Sequence, residues 1–166
     1  QVPLVFLTYL NPVFHYGYQA FLERCQVLGV DGLIIPDLPY EEKGELAPLA
    51  KTYGVDVISM IAPTSCQRIQ KIAAEAEGFI YVVSSMGVTG VRSEIQTDLQ
   101  SIVKTIREVT DTPAAIGFGI STPKQAEEMA AVADGAIVGS AIVKLIWKNQ
   151  DKAREPLLEY VREMKG

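Results

Sequence analysis

Gly117-Phe118-Gly119-Ile120-Ser121 and, twenty residues on, Gly135-Ala136-Ile137-Val138-Gly139-Ser140 decide how this chain is read. Each stretch follows a short apolar run and precedes a helical pattern. Each therefore predicts bare backbone N–H groups at a helix N-terminus. Glycine permits an anion to approach the backbone closely, and unpaired N–H groups with the helix dipole favour negative charge. Glycine in one strand–helix turn can serve backbone geometry alone. Two such turns in consecutive units, with the Ser140 hydroxyl beside the second, point to a small phosphorylated ligand.

Working outward, six apolar runs recur: Pro3–Leu7, Gly32–Ile35, Asp56–Ile61, Phe79–Val83, Ala114–Ile116 and Gly135–Val138. Helical patterns follow at about 15–29, 41–53, 66–76, 95–109, 122–132, 140–147 and 152–164. Start signals stand at Thr64/Ser65, Thr97/Asp98, Ser121 and Ser140, and Gly29, Gly54 and Gly78 stand at helix ends. Short apolar strands alternating with helices predict a parallel sheet with right-handed crossovers. A doubly wound open sheet alternates in the same way, but its glycine-rich phosphate loop usually follows the first strand. Here the two loops follow the last two strands, as in a TIM (β/α)8 barrel, which takes eight strands in about 250 residues. The expectation is one domain, residues 1–166, holding strand–helix units 3–8 of such a barrel. Gln1 opens in mid-pattern, so the chain reads as truncated, with two units upstream.

Net charge of −5 and a pI near 4.9 argue against nucleic acid and anionic membrane surfaces. No apolar run reaches the roughly 18–20 residues of a membrane span. Cys25 and Cys66 read as two free thiols of a cytoplasmic protein. His15 is the single histidine and has no companion at ligand spacing, so no metal site is expected.

Asp37 closes the strand in Gly32-Leu-Ile-Ile-Pro-Asp37-Leu-Pro, at the end where barrel active sites are built. It suits a hydrogen bond from a ligand N–H or hydroxyl, and equally a structural bond within its own turn. Glu41 and Glu42 read as first-turn carboxylates complementing a helix dipole. Gly87-Val-Thr89-Gly90 has the form of a lid, or of an ordinary glycine turn. Tyr9 points into a mouth or a core. Phe14, Tyr16, Tyr18, Phe21 and Trp147 are expected to pack their helices.

Together these stretches resemble the tryptophan synthase alpha subunit family. The matching segments are Thr-Tyr-Leu-Asn-Pro at 8–12, Gly-Leu-Ile-Ile-Pro-Asp-Leu-Pro at 32–39, Gly-Phe-Ile-Tyr at 78–81 and Gly-Val-Thr-Gly at 87–90. Gly-Phe-Gly-Ile-Ser at 117–121 and Asp-Gly-Ala-Ile-Val-Gly-Ser-Ala-Ile-Val-Lys at 134–144 continue the match. The resemblance implies a lyase that cleaves indole-3-glycerol phosphate to indole and glyceraldehyde 3-phosphate in tryptophan biosynthesis. It implies no metal and no organic cofactor, and an alpha2beta2 complex with a pyridoxal-phosphate beta subunit that receives the indole. It places Gly90, Phe118, Gly119, Gly139 and Ser140 at the phosphate, and Tyr9, Asp37 and Tyr81 around the indole end. Gly87 and Thr89 fall on the closing lid. Asn11–Phe14 and the turn after Asp37 would face the beta subunit.

The family's acid–base glutamate and indole-contacting aspartate have no counterpart here, and both are expected upstream of Gln1. Ser85 stands where many members carry arginine. A non-catalytic module that binds phosphate esters or a beta subunit is the alternative. Another phosphate-binding barrel enzyme is disfavoured by the Gly-Val-Thr-Gly and Pro-Asp-Leu-Pro stretches.

Overall fold

A computed structural model describes residues 2–84, 92–117 and 119–166, with backbone alone over 92–98. The strands are β1 (Val5–Leu7), β2 (Gly32–Ile34), β3 (Asp56–Val57), β4 (Ser59–Ile61), β5 (Ile80–Val83), β6 (Ala114–Gly117) and β7 (Gly135–Ile137). The helices are α1 (Leu10–Tyr16), α2 (Tyr18–Leu28), α3 (Ala47–Thr52), α4 (Cys66–Ala74), α5 (Arg92–Arg107), α6 (Pro123–Ala130), α7 (Ser140–Asn149) and α8 (Arg154–Lys165). Two 3-10 turns, Tyr40–Glu45 and Gln150–Lys152, complete the described elements.

Every pairing is parallel and joins neighbours in chain order, β1-β2-β3 in one sheet and β4-β5-β6-β7 in the other. The expected strand Asp56–Ile61 is thus split. Ile58 alone separates β3 from β4, and its N–H still bonds the Leu33 carbonyl at 2.9 Å. One step further the Ile35 carbonyl accepts the N–H of Leu38 at 3.1 Å, closing the turn after β2. That turn takes the acceptor a further rung would use, so the ladder with β2 stops there, while β4 pairs with β5 along its other edge.

Each sheet has its own core. Leu22, Cys25, Leu33, Leu46, Val55 and Val57 pack over β1–β3. Ile61, Ile80, Val82, Ile106, Ile116 and Met129 pack over β4–β7. Fully burying one such side chain stabilises by about 1.5–3 kcal/mol. Alternation sets the other face: Ile80 and Val82 are buried on β5, while Tyr81 and Val83 are half-buried.

Several expected boundaries shift. The helix expected at 15–29 starts earlier and is two helices, because Gly17 at φ +90° turns the chain. Its N–H caps α1 on the Val13 and Phe14 carbonyls, and its carbonyl accepts the Phe21 N–H. The expected helix 41–53 is a 3-10 turn followed by α3. Pro48 has no N–H to give the Gly44 carbonyl, so an α-helix cannot run through. α5 begins at Arg92, ahead of Thr97 and Asp98. The cap of α6 is Thr122, not Ser121.

The aromatic expectation holds for Tyr18 and Phe21, which pack against the core over β1–β3, and needs correction for the others. Phe14 and Tyr16 are exposed and meet Tyr18 and Phe21 edge to face, and Trp147 is 78% exposed. With Val143 and Ile146 it forms an apolar face on α7, which buries none of its residues. Phe6 and Leu7, on opposite faces of β1, and Leu4 just before it form a second exposed apolar region. β1 and β7 are the terminal strands, each paired on one side among the described residues. No helix among these residues is long and apolar enough to cross a membrane.

Candidate functional site

The two glycine turns leave the sheet side by side. β6 and β7 pair as Ala115↔Gly135, Ile116↔Ala136 and Gly117↔Ile137. Gly119 and Gly139 therefore each lie two residues beyond the last rung, at the same end of the sheet. Both are exposed, and Gly119 has φ +80°.

The helices that follow differ, which corrects the expectation of two bare N-termini. α6 closes on itself through a capping box. Thr122 Oγ1 accepts the Gln125 N–H, while Gln125 Oε1 accepts the N–H groups of Ser121 and Thr122 at 3.0 and 3.1 Å. Tyr160 also donates its hydroxyl proton to the Ser121 carbonyl at 2.9 Å. α7 has no side-chain cap: Gly139 occupies that position, and a Cβ there would meet nothing within 4 Å. The first-turn N–H groups of α7, with the exposed Ser140 at its start, are thus the open donors of this pair of turns.

Tyr81 stands at the foot of the first turn. Its ring lies over Gly117, so close that a Cβ on that residue would come within 2.7 Å of Tyr81 Cε1. Burial pushes the Tyr81 hydroxyl above the usual tyrosine range. The Gly117 carbonyl accepts both the N–H and the hydroxyl of buried Ser84, at 2.9 and 3.0 Å. Gly117 and Ser84 hold this corner and were not among the residues expected at the site. The glycine was visible in the sequence, but the ring needing its space was not.

Tyr9 and Asp37 form a second group, at the ends of β1 and β2. Asp37 Oδ1 accepts the N–H of Leu10 at 2.8 Å, in the first turn of α1. The bond links Asp37 to a segment 27 residues away rather than within its own turn, which is neither of the two expected roles. Tyr9 precedes that turn and is 66% exposed, outside any core. No described hydrogen bond joins this group to Tyr81 and the glycine turns. Gly87, Thr89, Gly90 and Phe118, with Ser85, lie outside the described residues.

Glu41 does more than complement a dipole. It takes Arg68 in a two-pronged pair at 2.7 and 3.1 Å, which holds its carboxyl below the usual range. Tyr40 donates to Glu75 at 2.6 Å, and Lys51 pairs with Glu77 at 2.5 Å. These bonds pin the 3-10 turn and α3 to α4 and the loop after it. Lys43, from the same turn, reaches inward and donates to the buried Ser59 hydroxyl at 3.0 Å. Sequence reading passed over this pair. Its signal was Ser59, polar at a buried phase of Val57-Ile58-Ser59-Met60-Ile61.

Residues 1–165 match the family model described as tryptophan synthase alpha chain. The chain belongs to that family. Tryptophan synthase alpha chains from Lacticaseibacillus casei and Lactiplantibacillus plantarum are 55% and 56% identical to it, over 99% of this chain. The chain spans 62% of the length of each. Tryptophan synthase subunit alpha from Campylobacter jejuni superposes with a TM-score of 0.88 at 34% identity, covering 99% of this chain and 64% of that one. A subunit from the tryptophan synthase a2b2 complex of Pyrococcus furiosus gives 0.85 at 33% identity, covering 99% and 67%. The parallel order of strands and the segments quoted above are thus those of a tryptophan synthase alpha chain.

Proposed function

We propose that this chain is the phosphate-holding part of a tryptophan synthase alpha subunit, a lyase that cleaves indole-3-glycerol phosphate to indole and glyceraldehyde 3-phosphate. The open N-terminus of α7, level with Gly119 beyond the β6–β7 ladder, carries this reading. The phosphate would sit on the first-turn N–H groups of α7 and the Ser140 hydroxyl, with Gly139 leaving room and Gly119 beside it. Gly90 and Phe118 complete that set by resemblance, with Gly87 and Thr89 on a closing lid.

The cleavage delivers a proton to the indole ring carbon and removes one from a side-chain hydroxyl. A positioned acid or base contributes about 10²–10⁴ in rate for each transfer. We assign no acid–base residue within 1–166 and place that glutamate and aspartate before Gln1. Tyr81, a phenol whose pKa burial raises above the ordinary tyrosine value, can donate a hydrogen bond at the foot of the site. Tyr9 and Asp37 would border the indole end.

The same reading accounts for the two exposed apolar regions. Leu4, Phe6 and Leu7 at β1 and Val143, Ile146 and Trp147 on α7 flank the two terminal strands, where two further strand–helix units would close a (β/α)8 barrel. Asn11–Phe14 and the turn after Asp37, linked by the Asp37–Leu10 bond, would face a beta subunit, with exposed Phe14 on that surface.

The test is indole release and ligand binding measured on the same samples. The 166-residue chain should bind glycerol 3-phosphate and release little or no indole. Adding the upstream segment of a close relative should restore release. A Ser140→Asp change should weaken binding in both by setting a carboxylate against the phosphate. Binding indifferent to Ser140→Asp would remove the phosphate assignment. Binding retained with no release in the extended protein would favour the non-catalytic module.

A further inference from the structure

A cavity of about 420 Å³ opens where the ladder between β2 and β3 stops, beneath the 3-10 turn Tyr40–Glu45. That size falls within the range of small-molecule sites, about 300–1,000 Å³. Its lining mixes apolar surface, from Val57, Ile58 and Ile72 among others, with the polar groups of Lys43, Ser59, Tyr40, Thr64 and Arg68. It lies apart from the glycine turns and from Tyr81, none of which lines it.

The charges around it cancel in pairs. Arg68 is taken by Glu41, Lys51 by Glu77, and Lys71 sits over the Tyr40 ring whose hydroxyl is held by Glu75. Lys43 is the exception. Its ammonium has three donors, and among the described residues its one hydrogen bond goes to the neutral Ser59 hydroxyl. Glu75, Glu77 and Asp56 act on it through space, without a described hydrogen bond or ion pair. A half-buried ammonium beside apolar surface is stabilised by a single negative charge carrying acceptor oxygens. A phosphate dianion suits it less, because Arg68, which also lines the cavity, is already taken by Glu41, and one amine and one hydroxyl leave the second charge uncompensated.

We propose that the Lys43–Ser59 cavity is a second binding site, for a small amphipathic monocarboxylate. The carboxylate would lie on Lys43 Nζ and Ser59 Oγ, and the apolar body would lie against Val57, Ile58 and Ile72. This site does not depend on the phosphate reading above, since the two share no residue.

The experiment titrates the 166-residue chain with benzoate, benzamide and inorganic phosphate, following amide NMR shifts. Benzoate should saturate with shifts centred on Val57, Ser59 and Ile72. Benzamide, which keeps the ring and loses the charge, should bind at least about tenfold more weakly, a difference of about 1.4 kcal/mol. Lys43→Met should weaken benzoate by a similar factor, and its folding is checked by circular dichroism. The benzamide comparison needs no variant and decides the matter if that protein fails to fold. No saturation by benzoate up to about 10 mM, equal binding of benzamide, or stronger binding of phosphate at these amides would each overturn the proposal.

Discussion

The Tyr81 ring occupies the space that any side chain on Gly117 would need. The two residues lie on neighbouring strands, two rungs apart, so the ring leans along the sheet toward the turn after β6. Gly117→Ala should therefore cost about 1–3 kcal/mol, as overpacking of a filled site does. Tyr81→Phe should not relieve it, because the ring carbons remain. Tyr81→Leu should, and a double-mutant cycle from urea unfolding would measure the coupling. Additive losses in that cycle would contradict the close approach.

Asp37 acts on α1 as a cap supplied from a distant loop. Asp37→Ala leaves the Leu10 N–H without its acceptor and should cost about 0.5–2 kcal/mol, the range for losing a helix cap. Asp37→Asn keeps an oxygen and should cost less. Unfolding midpoints of the two variants check this ordering, and equal losses would show that the bond contributes nothing.

Lys43 gives stability a pH dependence of known sign. Burial lowers its folded-state pKa, with Glu77, Glu75 and Asp56 opposing that shift in part. The unfolded chain then holds the proton more tightly than the folded one. The resulting penalty is fully present below the folded-state pKa. It is relieved as pH rises through that value toward the ordinary lysine value of about 10.4. The stability of the natural chain minus that of Lys43→Met should therefore rise with pH in the alkaline range. Denaturant unfolding of both proteins across that range checks it, and a flat difference would mean that the amine is not desolvated.

Tyr81 predicts the opposite trend at higher pH. Burial raises its folded-state pKa, so the folded chain retains a proton that the unfolded chain releases near about pH 10. Stability from this group is lost as pH rises above that point, and Tyr81→Phe should remove the loss. Unfolding midpoints above pH 10 for the two proteins would show it.

Protection from hydrogen exchange should follow the pairing. β5 and β6 are bonded on both sides and carry the core of Ile80, Val82, Ala114 and Ile116. β1 is bonded on one side, and its Phe6 and Leu7 are exposed. The amides of β5 and β6 should exchange last and those of β1 early. Uniform protection across the sheets would mean that the open edge of β1 costs nothing.

What the sequence made legible was set by pattern, and what it hid was set by space. Apolar runs and glycine spacing were enough for six parallel strand segments in order, and for the two turns at one end of them. Ile58 hid its role because the ladder stops through a turn at Ile35–Leu38, a tertiary event with no periodic mark. Ser121 looked like a cap, but Gln125 reaches back to Thr122, and only geometry distinguishes adjacent hydroxyls. The exposed aromatic residues misled for a different reason. Phe14 and Trp147 have the composition of a core, yet the elements carrying them present those side chains outward. Lys43 is indistinguishable in sequence from its acidic neighbours on a solvated turn, and its inward course depends on a serine sixteen residues away.

Ile58 also bears on how the two groups of proposed site residues are held relative to each other. Asp37 and Gly139 sit on different sheets, and the two sheets meet at a crease one residue wide. Ile58 keeps its bond to the Leu33 carbonyl there, so a rotation that changed the span between the two groups would strain that bond. The span is also calibrated by the side chains laid across the fold line, Tyr40 on Glu75 and Glu41 on Arg68, which work as struts. Under the proposed function, shortening a strut, as in Glu41→Asp, would change the reach between the two ends of the site while leaving both chemically intact.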